Sequence, residues 1–123
     1  MADVNVLAVT GTVVRDLKIS YTKNEYPIGR FKVAVNNRRK IDGKWEECGN
    51  YFEAVIFGPR AESLQKHLVQ GRRVGIEGQM RQDTWIDKEQ RQQSKTIIVI
   101  QSLTLLNKPP EEPEEAEEQK ELQ

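Results

Sequence analysis

Apolar and polar positions alternate through most of the first hundred residues, which predicts strands rather than helices. VNVLAVTGTVV (4–14) and LKISY (17–21) read as strand segments broken at Arg15-Asp16. TKNEYPI (22–28) reads as a loop on its Asn24 and Pro27. FKVAV (31–35) sets Phe31, Val33 and Val35 against Arg30, Lys32 and Ala34. YFEAVIFG (51–58) is a further strand with Phe52, Ala54 and Ile56 on one face. Its other face, the one expected to meet water, carries Tyr51, Val55 and Phe57 around the charged Glu53. RRVGIEGQMRQDTWI (72–86) repeats the theme: Val74, Ile76, Met80 and Ile86 oppose Arg73, Glu77, Gln79, Arg81 and Trp85. Gly75 and Gly78 are expected to mark bulges or tight bends there. KTIIVIQSLTLL (95–106) is apolar almost throughout, as in a strand covered on much of both faces.

Three stretches break the alternation. GPRAESLQKHLVQG (58–71) predicts the single helix, with Pro59 at its first position, Ala61, Leu64 and Leu68 on one stripe, and Gly71 just past its end. NNRRKIDGKWEECGN (36–50) is a long excursion whose Asp42-Gly43 pair signals a hairpin turn. DKEQRQQS (87–94) is a polar loop. Three strands, a helix and two strands fit an all-β class, a five-stranded OB-fold Greek-key barrel with one helix between strands 3 and 4. Closing a barrel also removes most unpaired strand edges. Other small barrels share this order.

Charge divides the chain in a way its net value of zero conceals. Residues 109–123, PPEEPEEAEEQKELQ, hold seven Glu and one Lys, net −6, while residues 1–108 hold eighteen Lys/Arg against twelve Asp/Glu, net +6. The expected organisation is one domain over 1–108 followed by a disordered acidic tail over 109–123, because glutamate runs punctuated by proline bury too little apolar surface to offset ordering entropy. No stretch approaches a membrane span, and the N-terminus has no secretory signal pattern, so a cytosolic location is expected. One cysteine, Cys48, cannot form an internal disulfide, and with His67 as the one histidine a metal site is not expected.

The candidate chemistry is a face that combines Tyr51, Phe57 and Trp85 with Arg30, Lys32, Arg73 and Arg81. Unpaired nucleobases need flat apolar partners and their phosphates need cations, so rings among basic residues suit a single-strand groove. Rings packed beneath loops or in a subunit interface would give the same pattern. In the excursion, Arg38, Arg39, Lys40 and Lys44 cluster beside Trp45, as in an arm that lies along a nucleic-acid backbone, or in an ordinary solvated loop. Catalysis finds little support. Ser63 and His67 share a helix face, yet no orienting acid or nucleophile turn accompanies them. GIEG is not a phosphate loop, so neither an enzyme nor a cofactor is expected.

The chain resembles the bacterial single-stranded DNA-binding protein family over most of positions 4–106. NVLAVTGTVVRD is similar to that family's first strand, YFEAVIFG with AESLQKHLVQG to its third strand and helix, and RRVGIEGQMRQDTW to its fourth. The resemblance implies an OB-fold homotetramer, bacterial, cytoplasmic and nucleoid-associated. Such a protein coats single-stranded DNA in replication, recombination and repair without strong sequence preference. It implies that Tyr51, Phe57 and Trp85 are base-stacking platforms, and Arg39 falls near the position of a further stacking tryptophan. The chain departs from the family at its end. EEQKELQ keeps acidity but lacks the apolar tip through which members recruit replication or repair proteins. Two other readings use the same residues, an OB-fold module that docks replication or recombination proteins and an RNA-binding OB domain.

Overall fold

The computed structural model describes residues 1–106. Five strands, β1 (Leu7–Tyr21), β2 (Pro27–Ile41), β3 (Lys44–Phe57), β4 (Arg73–Ile86) and β5 (Gln92–Leu105), close into a barrel in the order β1-β2-β3-β5-β4. One helix, α1 (Arg60–Leu64), lies between β3 and β4. The expected five-stranded barrel and the placing of its helix are thus observed; the expected tail over 109–123 lies outside the described residues.

Strand β1 closes the barrel by changing partners. Its first half pairs with β4, from Leu7↔Gly78 to Thr12↔Arg73, and its second half with β2, from Thr12↔Ala34 to Tyr21↔Pro27. Two register shifts accompany the change, between Val13 and Arg15 and between Arg15 and Lys18, at the break expected at Arg15-Asp16. A bulge leaves a residue unpaired and bends the strand, which here lets Leu17 enter the core with Val13, Phe31, Val33, Ala54, Ile56, Val74, Ile76, Ile98 and Ile100.

The helix is shorter than the sequence predicts, five residues in place of a span over 58–71. After Leu64 the chain is drawn onto β1: Leu68 accepts the Leu17 N–H, Gly71 donates to the Val13 carbonyl, and Arg72 accepts the Val13 N–H. Leu68 is fully buried. Ladder bonds and a core position outweigh the few tenths of a kcal/mol per residue that helix propensity offers.

A second bulge sits where Gly78 marks it, though the extra residue belongs to the facing strand. Glu77 pairs with Ser102 and Gly78 with Ile100, leaving Gln101 over. The inward positions of β5 accordingly shift from Ile98 and Ile100 to Leu103 and Leu105. The Arg60 guanidinium answers the carbonyls at this kink, its Nη1 donating to Gln101 and its Nη2 to Ile100. Gly78 allows the close approach, since a Cβ there would stand 2.0 Å from the Val99 carbonyl oxygen.

Two ribbons project beyond the barrel. β2 and β3 stay paired out to Ile41↔Lys44, with Asp42 (φ 50°) and Gly43 (φ 80°) forming the turn. The excursion over 36–50 is therefore a continuous β-hairpin arm rather than a loop. β4 and β5 likewise run on to Ile86↔Gln92. Met80 and Ile86, expected on the covered face with Val74 and Ile76, are exposed because β1 pairs with β4 only as far as Gly78. The Asn5 side chain continues that ladder by one step, donating to the Met80 carbonyl and accepting its N–H.

Candidate nucleic-acid interface

The ladder registers fix which side chains share the outer face. Arg30, Val55, Val99 and Gln79 form one row across β2, β3, β5 and β4, and Lys32, Glu53, Ile97 and Arg81 form the next. Ala34 and Tyr51 lie one step further along β2 and β3. Over this surface opens a cleft of about 500 Å³ lined by Lys18, Lys32, Tyr51, Glu53 and Lys95 among others. Its lining includes five cations, with Arg15 and Arg30 added, against the carboxylates of Asp16 and Glu53. Asp16 is engaged elsewhere, accepting the Gln70 N–H at 2.7 Å. The cleft therefore carries a net positive charge.

A chain of charges crosses all four strands. Arg30 Nη1 lies 3.1 Å from Glu53 Oε2 and 3.7 Å from Asp83 Oδ2, and Lys95 Nζ lies 3.0 Å from the same Glu53 oxygen. The Arg30–Asp83 contact runs from β2 to β4 above the two strands between them. Beneath such long side chains Val55 and Ile97 are fully buried, which corrects the expectation that Val55 belongs to a solvated face. Aliphatic stems of Arg and Lys cover apolar surface while their heads stay wet.

The predicted rings fall into two settings. Tyr51 is 62 % and Trp85 44 % exposed, so both offer surface to a ligand. Lys95 Nζ stands 5.5 Å from the Trp85 ring centroid, which ties that ring to the cleft. Phe57 is half-buried, with the Arg81 guanidinium 5.2 Å from its centroid. Tyr51 lies near Gly49, where a Cβ would stand 3.2 Å from the Tyr51 hydroxyl oxygen.

The arm sorts its residues by parity. Arg38, Lys40 and Trp45 share the face of Tyr51, and the Arg38 guanidinium lies 5.7 Å from the Trp45 centroid. Arg39 and Lys44, expected beside Trp45, lie on the opposite face, because Arg39 pairs with Glu46 and Lys44 with Ile41. Side chains one position apart on a strand point to opposite sides. Arg73 is likewise set apart from the rings. It starts β4 while Trp85 nearly ends it, and its Nη1 donates to Thr12 Oγ1 at 3.1 Å.

Sequence reasoning missed Arg15, Lys18 and Lys95. LKISY carried a usable signal, placing Lys18 opposite its apolar positions. Lys95 comes opposite Asp83 because β5 already begins at Gln92, inside the stretch read as the polar loop 87–94. Beyond the cleft, His67 is half-buried, and the described residues hold no group of three or more His, Cys, Asp or Glu that could take a metal. No helix among them is long and apolar enough to cross a membrane.

Comparison with known families places this barrel. The model of the single-strand binding protein family matches residues 4–106. The chain belongs to that family. A single-stranded DNA-binding protein of Treponema pallidum is 37 % identical over 106 residues, covering 86 % of this chain and 60 % of the relative, so the chain spans about three fifths of that protein's length. The corresponding protein of Borreliella burgdorferi is 35 % identical over 108 residues, covering 87 % of this chain and 72 % of the relative. Among solved structures, a Plasmodium falciparum single-strand binding protein in complex with single-stranded DNA superposes with a TM-score of 0.78 at 18 % identity, covering 87 % of this chain and 98 % of that one. At that identity the likeness speaks for the fold.

Proposed function

We propose that this protein binds single-stranded DNA with little dependence on sequence, coating exposed strands in replication, recombination and repair. The observation that carries the reading is the pair of accessible rings, Tyr51 in the lining of a cleft whose charged residues are mostly cationic and Trp85 against its Lys95. Bases stack on the rings while Lys18, Lys32, Lys95 and Arg15 neutralise phosphates. Trp45, Arg38 and Lys40 extend the same face along the arm. Stacking tolerates any base because every base has a π-face. Family membership supports this choice over a protein-docking module, and the action is binding without a chemical step.

We assign the protein, by the same membership, to a homotetramer in the bacterial cytoplasm. The exposed Val4 and Val6 ahead of β1 supply apolar surface for such an assembly, and light scattering measures its mass. Contacts from the acidic tail to other replication or repair proteins belong to the proposal on charge alone.

The test is titration with oligothymidine while following the emission of Trp45 and Trp85. Quenching is expected, with affinity falling as salt rises on a log–log slope near about −3.5 if roughly five phosphates are neutralised. Unchanged emission together with no mobility shift at low salt overturns the reading. A matched RNA strand that binds equally well or better redirects it to RNA.

A further inference from the structure

Glu53 is out of place in a cleft that collects phosphates. It stands on β3 two residues from Tyr51 and on the same face, with its side chain 23 % exposed. Arg30 and Lys95 both approach it, and both meet the same oxygen, Oε2, at 3.1 and 3.0 Å. Oε1 takes no side-chain partner among the described residues. Two cations from neighbouring strands thus hold the carboxylate in one place, as a binding group must be held to discriminate, and leave one acceptor oxygen over.

A carboxylate accepts hydrogen bonds and donates none. Cytosine offers the N4 amino group and adenine the N6 amino group, whereas thymine presents carbonyl oxygens on either side of a single N3–H. Along a strand, two residues advance about 7 Å, so a base lying on the Tyr51 ring carries its edge into the neighbourhood of Glu53. A free amino group there meets an acceptor already positioned; a thymine carbonyl meets like charge.

We infer that Glu53 reads the edge of the base stacked at Tyr51 and biases the groove toward bases with an exocyclic amino group, cytosine foremost, over thymine. The inference rests on the single-strand binding proposed above and adds to it a preference that stacking and phosphate contacts do not supply. A carboxylate that merely damped the charge of Arg30 and Lys95 would weaken every strand by the same factor, so the ratio between strands separates the two roles.

The experiment measures anisotropy of labelled oligodeoxycytidine and oligothymidine of equal short length, at mildly alkaline pH, with the native chain and with Glu53→Gln. The glutamine amide keeps the shape yet donates as well as accepts. The dC-to-dT affinity ratio is expected to fall about tenfold, the low end of the worth of one charge-assisted hydrogen bond. Equal tightening of both strands, or an unchanged ratio, overturns the inference and leaves the binding reading intact. A native chain that binds neither strand overturns both. A second measurement needs no variant: a strand in which 2-pyrimidinone replaces cytosine lacks the amino group, and the native chain is expected to bind it several-fold more weakly than oligodeoxycytidine. Equal binding overturns the inference.

Discussion

The Lys95 ammonium lies 5.5 Å from the centroid of the Trp85 ring, joining a cation on β5 to a platform on β4. The same ammonium reaches Glu53, so charge and ring belong to one unit.

Removing a platform costs the stacking it provides. Tyr51→Ala and Trp85→Ala are each expected to weaken single-strand binding by about 1–3 kcal/mol, read as anisotropy of a labelled strand. Both rings are exposed, so thermal unfolding should move little. Phe57→Ala is expected to act differently, lowering the unfolding midpoint as well, because that ring is half-buried under Arg81.

The arm offers a change that separates binding from stability. Every residue from Asn36 to Glu47 is exposed, and the turn needs positive φ at Asp42 and Gly43. Replacing this pair by Ala-Ala imposes strain on the order of 1 kcal/mol or more at Gly43 and a smaller cost at Asp42, whose side chain tolerates positive φ better than alanine does, which frays the arm without touching the core. Expected are an unfolding midpoint close to that of the native chain and a several-fold loss of affinity, as Trp45, Arg38 and Lys40 lose their common face.

Two glycines three residues apart predict opposite outcomes. Gly78→Ala drives a Cβ into the Val99 carbonyl, 2.0 Å away, and is expected to destabilise by about 3 kcal/mol or more. Gly75→Ala meets nothing nearer than the Thr104 Cβ at 3.9 Å and is expected to be neutral or slightly stabilising. Denaturant midpoints of the two variants make the comparison.

Asp87 gives the ribbon beyond Trp85 a pH dependence. Its carboxylate accepts the Arg91 and Glu89 N–H groups and the Gln93 amide. The Arg91 N–H foremost, then Gln93 and Glu89, hold its pKa below the usual 3.8. A depressed pKa in the folded state means that the contribution is present above the unfolded value and is lost as pH falls through the folded one. Protection of the Glu89 and Arg91 amides, measured against intrinsic exchange, should therefore fall as pH drops through the folded pKa, with Asp87→Ala less protected than the native chain above that pKa and equal to it below.

Much of this molecule was legible in the order of its residues, and the exceptions share a cause. Strict alternation located Phe31, Val33, Ala54 and Ile56 in the core and set Tyr51 and Trp85 outside it, since a strand's period of two carries straight through to its faces. Gly78 announced the irregularity at its position. What alternation could not supply was information held by other strands. Val55 is buried between ladder neighbours on two other strands, Arg30 on β2 and Val99 on β5. Lys18 and Lys95 enter the cleft through pairings distant in sequence, and the helix was cut short by ladder bonds to β1.

The position of β5 in the chain order has a consequence for synthesis. It is the last strand to be made, yet it supplies the ladders to both β3 and β4. On the ribosome, a nascent chain that has released β1 to β4 still holds two raw flanks apart until residue 105 clears the exit tunnel. Folding must wait for translation to finish this strand, and any premature stop before it liberates a sticky fragment able to recruit the flanks of its own copies.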